Sequence, residues 1–254
     1  MSISYSPKTI TDGLVMYLDA ANPKSYPGTG NTWTDLSRNG YDAVLESSLD
    51  TAYNSMGYFS LNGTSHRAYI KTLYFDNTTP IPEMSVFAWT RTSYDDGGTP
   101  GVWSNSNWSI LDFDRSEWFT FTLNGSGEVQ MSGESSNAGG FSTNYDIVGT
   151  QRVNDGNWHY VGWTFSVANQ EILMYVDGEL DRTFTANGSM TALGSGSPLT
   201  RYGLVGDGSE ASTEGGTGNL IFYTGDIAII QMYLSTLSPH QIRQNYLATR
   251  GRYI

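Results

Sequence analysis

The sequence predicts an all-β fold that ends in a short helix. The clearest signal lies in residues 158–186, where three apolar runs rich in Trp, Tyr, Val and Phe show period-two alternation in parts. Asp177-Gly178 joins the second and third runs, and this pair readily adopts the two positive-φ positions of a type I′ hairpin turn. The 29 Gly, together with many Ser, Thr and Asn, suit a chain with many turns. Residues 158–186 are therefore predicted to form a β-meander.

The other strand candidates follow one another along the chain, separated by turn residues. Residues 84–91 have apolar side chains on both faces, which is typical of a central strand. Trp33 is the one large apolar residue of a Pro- and Gly-rich loop and is expected to plug the edge of the fold. A Gly-, Ser- and Asn-rich loop is expected between residue 132 and the meander. The remaining candidates are residues 14–19, 41–45, 58–61, 69–73, 109–113, 118–123, 128–132, 201–205 and 220–234.

A helix is predicted over residues 238–250. Ser238 is a favourable N-cap, a proline follows it at the first helical position, and Gln241 completes a capping box. Ile242 and Tyr246 lie one turn apart and form an apolar face that can pack against a sheet. The helix is therefore expected to lie on the sheets as an outer layer.

Several segments together resemble a known family. Asn-Trp-His at 157–159 opens a strand, and Leu-Met-Tyr-Val-Asp-Gly at 173–178 closes a hairpin. With residues 13–19, 59–63, 84–89 and 225–229, these segments resemble, in this order, the laminin-G-like or concanavalin A-like jelly-roll domain. The resemblance implies an antiparallel two-sheet β-sandwich, with residues 13–19 beside 225–233. Residues 1–12 are polar and are predicted to form an arm ordered against a partner, and residues 13–254 are predicted to form one domain.

Residues 18–26 and 244–253 resemble the version of this domain found in structural proteins of tailed bacteriophages. The resemblance implies a non-enzymatic structural, decoration, tail-fibre or adhesion module on the virion surface, assembled in the host cytoplasm. Its partners would be capsid or tail proteins, with host-surface or environmental glycans as ligands, and it could form a homo-oligomer. The alternatives are a free glycan-binding lectin domain and a glycoside hydrolase.

Composition excludes several classes of protein. The formal net charge of −12 argues against a nucleic-acid binder, because such proteins neutralise phosphates with Lys and Arg. Without cysteine, the chain has neither disulfides nor thiolate metal sites, which fits a reducing compartment. No stretch approaches the length of a membrane span, and residues 1–20 have no export signal, so membrane insertion is not expected.

The acidic segment 112–117 resembles the Glu-x-Asp-x-x-Glu strand of family-16 glycoside hydrolases. On a strand, Asp112 and Asp114 point to the same face, and a bulge can bring Glu117 near them. Asp112 stands where the longer Glu nucleophile of that family would be, which displaces its carboxylate by about one methylene. The segment is therefore interpreted as a solvent-facing polar strand edge rather than as a catalytic site.

The same acids are also candidate calcium ligands, because hard oxygen ligands suit that ion and laminin-G-like modules often bind it at the sandwich rim. No fixed ligand spacing is present. The candidates are Asp95, Asp96, Asp112, Asp114 and Asp207.

Aromatic and amide side chains are crowded into the region before residue 109. Aromatic faces stack on sugar rings while Asn and Asp bond sugar hydroxyls, so this region is a candidate glycan site. The alternative is that one or both Trp side chains cap the core. The predicted ligand-binding residues are Tyr94, Trp103, Asn105, Trp108 and Asp112.

Overall fold

The computed structural model describes residues 7–100, 108–114, 116–134, 144–186, 190–195 and 197–254. These residues form short strands, one α-helix and two 3-10 helices, Leu49–Ala52 and Arg250–Arg252. The strands are β1 (Leu14–Asp19), β2 (Thr32–Trp33), β3 (Ala43–Glu46), β4 (Tyr53–Asn54), β5 (Tyr58–Asn62), β6 (Arg67–Phe75), β7 (Glu83–Arg91), β8 (Trp108–Asp112), β9 (Phe119–Leu123), β10 (Glu128–Glu134), β11 (Asn144–Arg152), β12 (Trp158–Ser166), β13 (Glu171–Val176), β14 (Glu179–Thr185), β15 (Arg201–Val205) and β16 (Thr224–Tyr233). The helix α1 is Pro239–Thr249.

The strands form two antiparallel sheets of eight strands each. The first sheet has the order β14-β13-β12-β7-β16-β5-β4, and β1 also pairs with β16. The second sheet has the order β11-β10-β9-β8-β15-β6-β3-β2. In the β1–β16 pairing, Leu14 lies opposite Tyr233 and Asp19 opposite Ile229. The predicted two-sheet β-sandwich, and the pairing of its first and last strands, are confirmed.

The main hydrophobic core lies between the two sheets. Phe119 of the second sheet packs edge-on against Trp163 of the first, with ring centroids 5.6 Å apart. Trp33 is almost fully buried and its ring lies 4.8 Å from that of Phe59. The expectation that Trp33 plugs the sandwich edge is therefore confirmed.

Two local predictions are also confirmed. Asp177 and Gly178 have φ values of 54° and 80°, so the turn between β13 and β14 has the two positive-φ positions of a type I′ hairpin. At the start of α1, the Gln241 N–H donates to Ser238 Oγ at 3.4 Å, and the Ser238 N–H donates to Gln241 Oε1 at 2.9 Å. This is the capping box that the sequence predicts.

Helix α1 covers the outer face of the first sheet. Trp89 Nε1 donates to Thr249 Oγ1 at 2.7 Å, and Tyr246 stacks on the Trp89 ring. The helix ends at Thr249, one residue earlier than predicted, and continues as a 3-10 turn. Arg252 in that turn donates to both carboxylate oxygens of Asp19, at 2.8 and 2.9 Å. The C-terminus is thereby anchored to the first strand.

Residues 7–12, the described part of the predicted arm, contact α1 of the same chain. The Ile10 N–H donates to Asn245 Oδ1 at 2.8 Å, and Lys8 O accepts from Gln244 Nε2 at 2.7 Å. The described arm is thus ordered against the chain's own helix. The division into an arm and one domain stays a prediction.

Two segments differ from the sequence-based expectation. The expected loop after residue 132 contains strand β11. This strand lies at the edge of its sheet, so most of its residues are polar and only Ile147 and Val148 give an apolar signal. The strand predicted over residues 220–234 begins only at Thr224, and Leu220 has a left-handed φ of 67°, which is incompatible with a β-strand. Among the described residues, no helix combines the length and apolar character needed to span a bilayer.

Candidate functional site on the polar face of the second sheet

Strands β8, β9 and β10 turn a row of polar side chains away from the core. Along β9, Phe119, Phe121 and Leu123 belong to the core, so the intervening threonines point to the opposite face. Along β10, Val129 and Met131 belong to the core in the same way. The polar face defined by these strands consists of Ser109, Asp112, Thr120, Thr122, Gln130 and Ser132.

Strand register places these residues in two rows across the sheet. In the first row, Thr122 pairs with Ser109 on one side and with Gln130 on the other. In the second row, Thr120 pairs with Asp112 and with Ser132. A bulge at Ile110 keeps Ser109 and Asp112 on one face although they are three positions apart. Directly opposed residues share a face, so each row is a contiguous line of polar groups.

The first row is buried without protein partners. Ser109, Thr122 and Gln130 are at most 1% exposed. Within the described residues, the hydroxyls of Ser109 and Thr122 have no hydrogen-bond partner, and neither do the side-chain oxygen and nitrogen of Gln130. Leaving a buried polar group unpaired costs about 1–3 kcal/mol, and native proteins rarely do so. Such a row is unusual in a folded protein and marks the polar face as a candidate site.

The second row carries the acidic group of the face. Asp112 Oδ1 accepts the N–H of Asp114 at 2.5 Å, and burial raises the pKa of Asp112 to about 7. Ser132 donates to Asp146, whose side chain is exposed on β11. Near neutral pH the Asp112 carboxyl can therefore donate as well as accept a hydrogen bond.

The turn after β8 holds the other two acids of segment 112–117. Arg201 Nε lies 2.5 Å from Asp114 Oδ2, and Arg201 Nη2 lies 3.5 Å from Glu117 Oε2. Burial, the hydrogen bond to Asp114 and its charge raise the pKa of Glu117 to about 8. Burial alone would raise the pKa of Asp114, but hydrogen bonds from Glu117, Arg201 and Ser116 lower it.

This geometry corrects two interpretations of the acidic segment. The chain leaves β8 after Asp112, and Asp114 has a φ of 68°, so the two aspartates are not alternate residues of one strand. Asp112, Asp114 and Glu117 are each at most 5% exposed, so the segment is not a solvent-facing strand edge. Asp114 and Glu117 turn inward to meet Arg201 of β15, and Asp112 lies buried on the polar face.

The predicted aromatic site divides into separate environments. Trp108 is 5% exposed and pairs with Leu123 on the core side of the sheet. Tyr94 is 43% exposed, and its ring meets the Trp108 ring edge-on at 4.6 Å. Trp103 and Asn105 lie outside the described residues. Of the three predicted ligand residues that the structure describes, Asp112 is the one on the polar face.

The calcium candidates do not converge. Asp95 pairs with Arg152, and Asp96 accepts the N–H of Gly98. Asp207 is fully buried and lies 3.4 Å from Arg67. In the part of the chain that the structure describes, no group of three or more His, Asp or Glu side chains could hold a metal ion.

The sequence-based interpretation missed most of the polar face. The strands that carry the polar face were predicted. The alternation of apolar and polar residues in Phe-Thr-Phe-Thr-Leu (119–123) and Val-Gln-Met-Ser (129–132) could have revealed that their polar side chains share one face. Polar alternation normally indicates a solvent-exposed side, so it carried no signal that this side is buried.

Comparison with known proteins gives a family and a fold. The family model of the concanavalin A-like lectin/glucanases superfamily, in its laminin G form, matches residues 62–243. No curated protein sequence matches the chain. Among solved structures, the fold is similar to the binding domain of botulinum neurotoxin serotype D, with a TM-score of 0.62 and 14% identity over 94% of this chain and 53% of that chain.

Two further similar structures contain bound molecules. The serotype D ligand-binding domain in complex with N-acetylneuraminic acid has a TM-score of 0.62 and 15% identity, covering 94% of this chain and 52% of that chain. The binding domain of botulinum neurotoxin DC in complex with rat synaptotagmin II has a TM-score of 0.60 and 13% identity, covering 94% of this chain and 52% of that chain. This chain spans about half the length of these solved chains, and the likeness is one of fold.

Proposed function

The chain belongs to the concanavalin A-like lectin/glucanases superfamily, and on that premise we propose that it is a non-enzymatic glycan-binding module whose ligand docks on the polar face. The single observation that carries this proposal is the row formed by Ser109, Thr122 and Gln130, buried and without partners among the described residues.

The chemistry of this row suits sugar hydroxyls. A sugar hydroxyl donates one hydrogen bond and accepts others, and the Ser and Thr hydroxyls and the Gln carboxamide also do both. The three side chains lie on adjacent strands and form a line of donors and acceptors that matches an extended ligand. Because they are at most 1% exposed, this proposal requires the polar face to open before a ligand binds. An apolar ligand would leave all these groups unpaired, which disfavours it.

The fold is compatible with this role. The solved serotype D domain that shares it was determined with N-acetylneuraminic acid, and the domain of neurotoxin DC with a protein. Because these chains are about twice as long, this likeness supports the proposal without locating the site.

Isosteric substitution on the polar face tests the proposal. Thr122→Val and Gln130→Met remove hydrogen-bonding groups while keeping the side-chain volume. Each should weaken glycan binding by about 1–2 kcal/mol, while the free energy of unfolding stays equal or rises, because an unpaired buried polar group has been removed. A glycan array would identify the ligand, and calorimetry on the wild type and variants would measure the loss.

The matched control is Thr185→Val, the same change at an exposed position on β14 of the other sheet. It should leave glycan binding unchanged. If no glycan binds, or if Thr122→Val leaves affinity intact while destabilising the protein, the polar face is structural and the proposal fails.

The same proposal excludes glycoside hydrolysis. A retaining enzyme needs two carboxyl groups about 5–5.5 Å apart, one of them free to act as nucleophile. Here Asp114 is engaged by Arg201, and an oxygen of Asp112 is engaged by backbone. Incubation with a panel of oligosaccharides should give no products. Turnover that is lost in both Asp112→Asn and Glu117→Gln would establish the hydrolase alternative.

We further propose that the module acts on the virion surface of a tailed bacteriophage, after assembly in the host cytoplasm with capsid or tail proteins. The support is the resemblance of residues 18–26 and 244–253 to phage structural proteins. These two segments meet in the fold through the pair formed by Asp19 and Arg252. A mass-spectrometric inventory of purified particles should contain the chain. Its absence from every particle would leave a free lectin domain as the alternative.

A further inference from the structure

A cleft lies at the end of the sandwich where β6 ends and β7 begins, and none of the polar-face residues lines it. It has a volume of about 350 Å³, within the lower range of small-molecule sites. Its walls are mainly apolar and aromatic. The lining of this tyrosine cleft includes Tyr41, Tyr74, Pro80, Pro82, Glu83 and Leu234.

The tyrosine cleft is held in place by packing behind its walls. The ring of Tyr74, which is 44% exposed, lies 5.2 Å from that of Tyr202. Phe75 also lines the cleft, and its ring lies 4.9 Å from Phe113. Ile81, between the two prolines, exchanges backbone hydrogen bonds with Leu193 at 2.9 Å in each direction. A cleft supported in this way needs little rearrangement to receive a ligand.

The cleft carries one charged side chain, which has no partner among the residues that the structure describes. Of the residues that line it, Glu83 is the one whose side chain is ordinarily charged at neutral pH. Glu83 is half-buried, and in the described part of the chain its carboxylate has neither an ion pair nor a hydrogen bond. Tyrosine rings present a negative face to cations, and the chain has a net charge of −12. Both features favour a positively charged ligand.

We propose that the tyrosine cleft binds a small organic cation, specifically a quaternary or alkylated ammonium group. The apolar walls disfavour a hydrated metal ion, which needs several oxygen ligands, and they offer too few polar groups for a sugar. The carboxylate disfavours anions. An alkylated ammonium group combines a positive charge with an apolar surface, and aromatic side chains recognise such groups through cation–π contacts. This site is independent of the glycan site proposed above.

Titration of the full chain with choline tests the inference, using its uncharged carbon isostere 3,3-dimethylbutan-1-ol as the comparison. Choline should bind, and the isostere should bind at least about fivefold more weakly, because it has the same shape without the charge. Glu83→Gln should reduce the preference for choline over the isostere. Tyr74→Ala should weaken choline binding about three- to fivefold, whereas Tyr74→Phe should retain it, because the ring is kept.

The controls separate this site from general electrostatics and from misfolding. Asp50→Asn changes the net charge by the same amount as Glu83→Gln, at an exposed residue that does not line the cleft, and should leave choline binding unchanged. Thermal melts should show that Glu83→Gln and Tyr74→Ala remain folded, since both side chains are at least partly exposed. Phosphatidylcholine vesicles and a choline-substituted soluble polymer would distinguish a lipid headgroup from a polymer as the source of the group.

Three outcomes would overturn the inference. These are no binding of choline at millimolar concentration, equal binding of choline and its isostere, or an unchanged choline affinity in Glu83→Gln. None of them bears on the glycan experiment, because Thr122 and Gln130 do not line the tyrosine cleft.

Discussion

Arg201 Nε lies 2.5 Å from Asp114 Oδ2, and this ion pair joins β15 to the turn that follows β8. Arg201 is 8% exposed and also approaches Glu117 and Glu210, at 3.5 and 3.7 Å. Asp114 and Glu117 are buried whereas Glu210 is exposed, so this one cation faces two carboxyl groups that are withdrawn from water. Removing it leaves uncompensated buried charge, which is more damaging than losing both partners together.

We therefore expect Arg201→Met to lower the free energy of unfolding by about 3–5 kcal/mol, as measured by urea denaturation. The double variant Arg201→Met with Asp114→Asn should recover part of that loss, because one buried carboxylate is then neutral. If the single and double variants are equally destabilised, Arg201 acts through packing rather than through charge.

Stability should fall as the pH rises from weakly acidic to weakly basic values. In the unfolded chain Asp112 and Glu117 release their protons near 3.8 and 4.5, whereas the folded-state pKa values are about 7 and about 8. The folded state therefore binds more protons in this window. The stabilisation is fully present below the unfolded pKa values and is lost as the pH rises through the folded ones.

Urea midpoints measured at about pH 5 and about pH 8.5 would test this expectation. His159 contributes with the same sign. Burial alone would lower its pKa, but hydrogen bonds to Asp177 and Asp155 raise it, so its stabilisation is also lost as the pH rises. The variant carrying Asp112→Asn and Glu117→Gln isolates the acids. Its pH profile should be flatter than that of the wild type, and an unchanged slope would contradict the assignment.

Trp108 and Tyr94 should respond differently to truncation although their rings touch. Trp108 is 5% exposed and Tyr94 is 43% exposed. Trp108→Ala should cost about 3–5 kcal/mol of stability by leaving a cavity, whereas Tyr94→Ala should change thermal melting little. If Trp108→Ala instead melts like the wild type but loses glycan binding, Trp108 is a ligand anchor rather than a core residue.

Asp181 is expected to protect the edge of the second sheet. Its carboxylate accepts hydrogen bonds from the backbone N–H groups of Thr150 and Gln151, at 2.8 and 3.0 Å. Asp181 lies on β14 of the first sheet, and the two N–H groups lie on β11, the edge strand of the second sheet. Asp181→Ala should cost about 1–3 kcal/mol and increase aggregation, because exposed edge donors invite pairing with another chain. Asp181→Asn keeps one acceptor and should be milder. Light scattering during heating would compare the three proteins, and identical scattering would rule out edge protection.

The local sequence was sufficient for the features that depend on neighbours a few residues apart. Asp177-Gly178 predicts a hairpin because both positions need positive φ, and Ser238 with Gln241 predicts a helix start because their side chains satisfy nearby N–H groups. The alternation of β9 likewise separates its phenylalanines from its threonines. The order of such motifs along the chain also identified the sandwich family.

Long-range packing decided the rest. Alternation shows that Thr122 and Phe121 face opposite sides of a sheet, but it contains no information about which side the remaining chain covers. Asp114 and Arg201 are separated by 87 positions, so no local pattern could show that Asp114 and Glu117 turn inward to one arginine. Tyr74 and Glu83 likewise line one cleft only because β6 and β7 belong to different sheets that meet there. Burial and the meeting of distant side chains are properties of the assembled sandwich, because they depend on which surfaces the two sheets bring together.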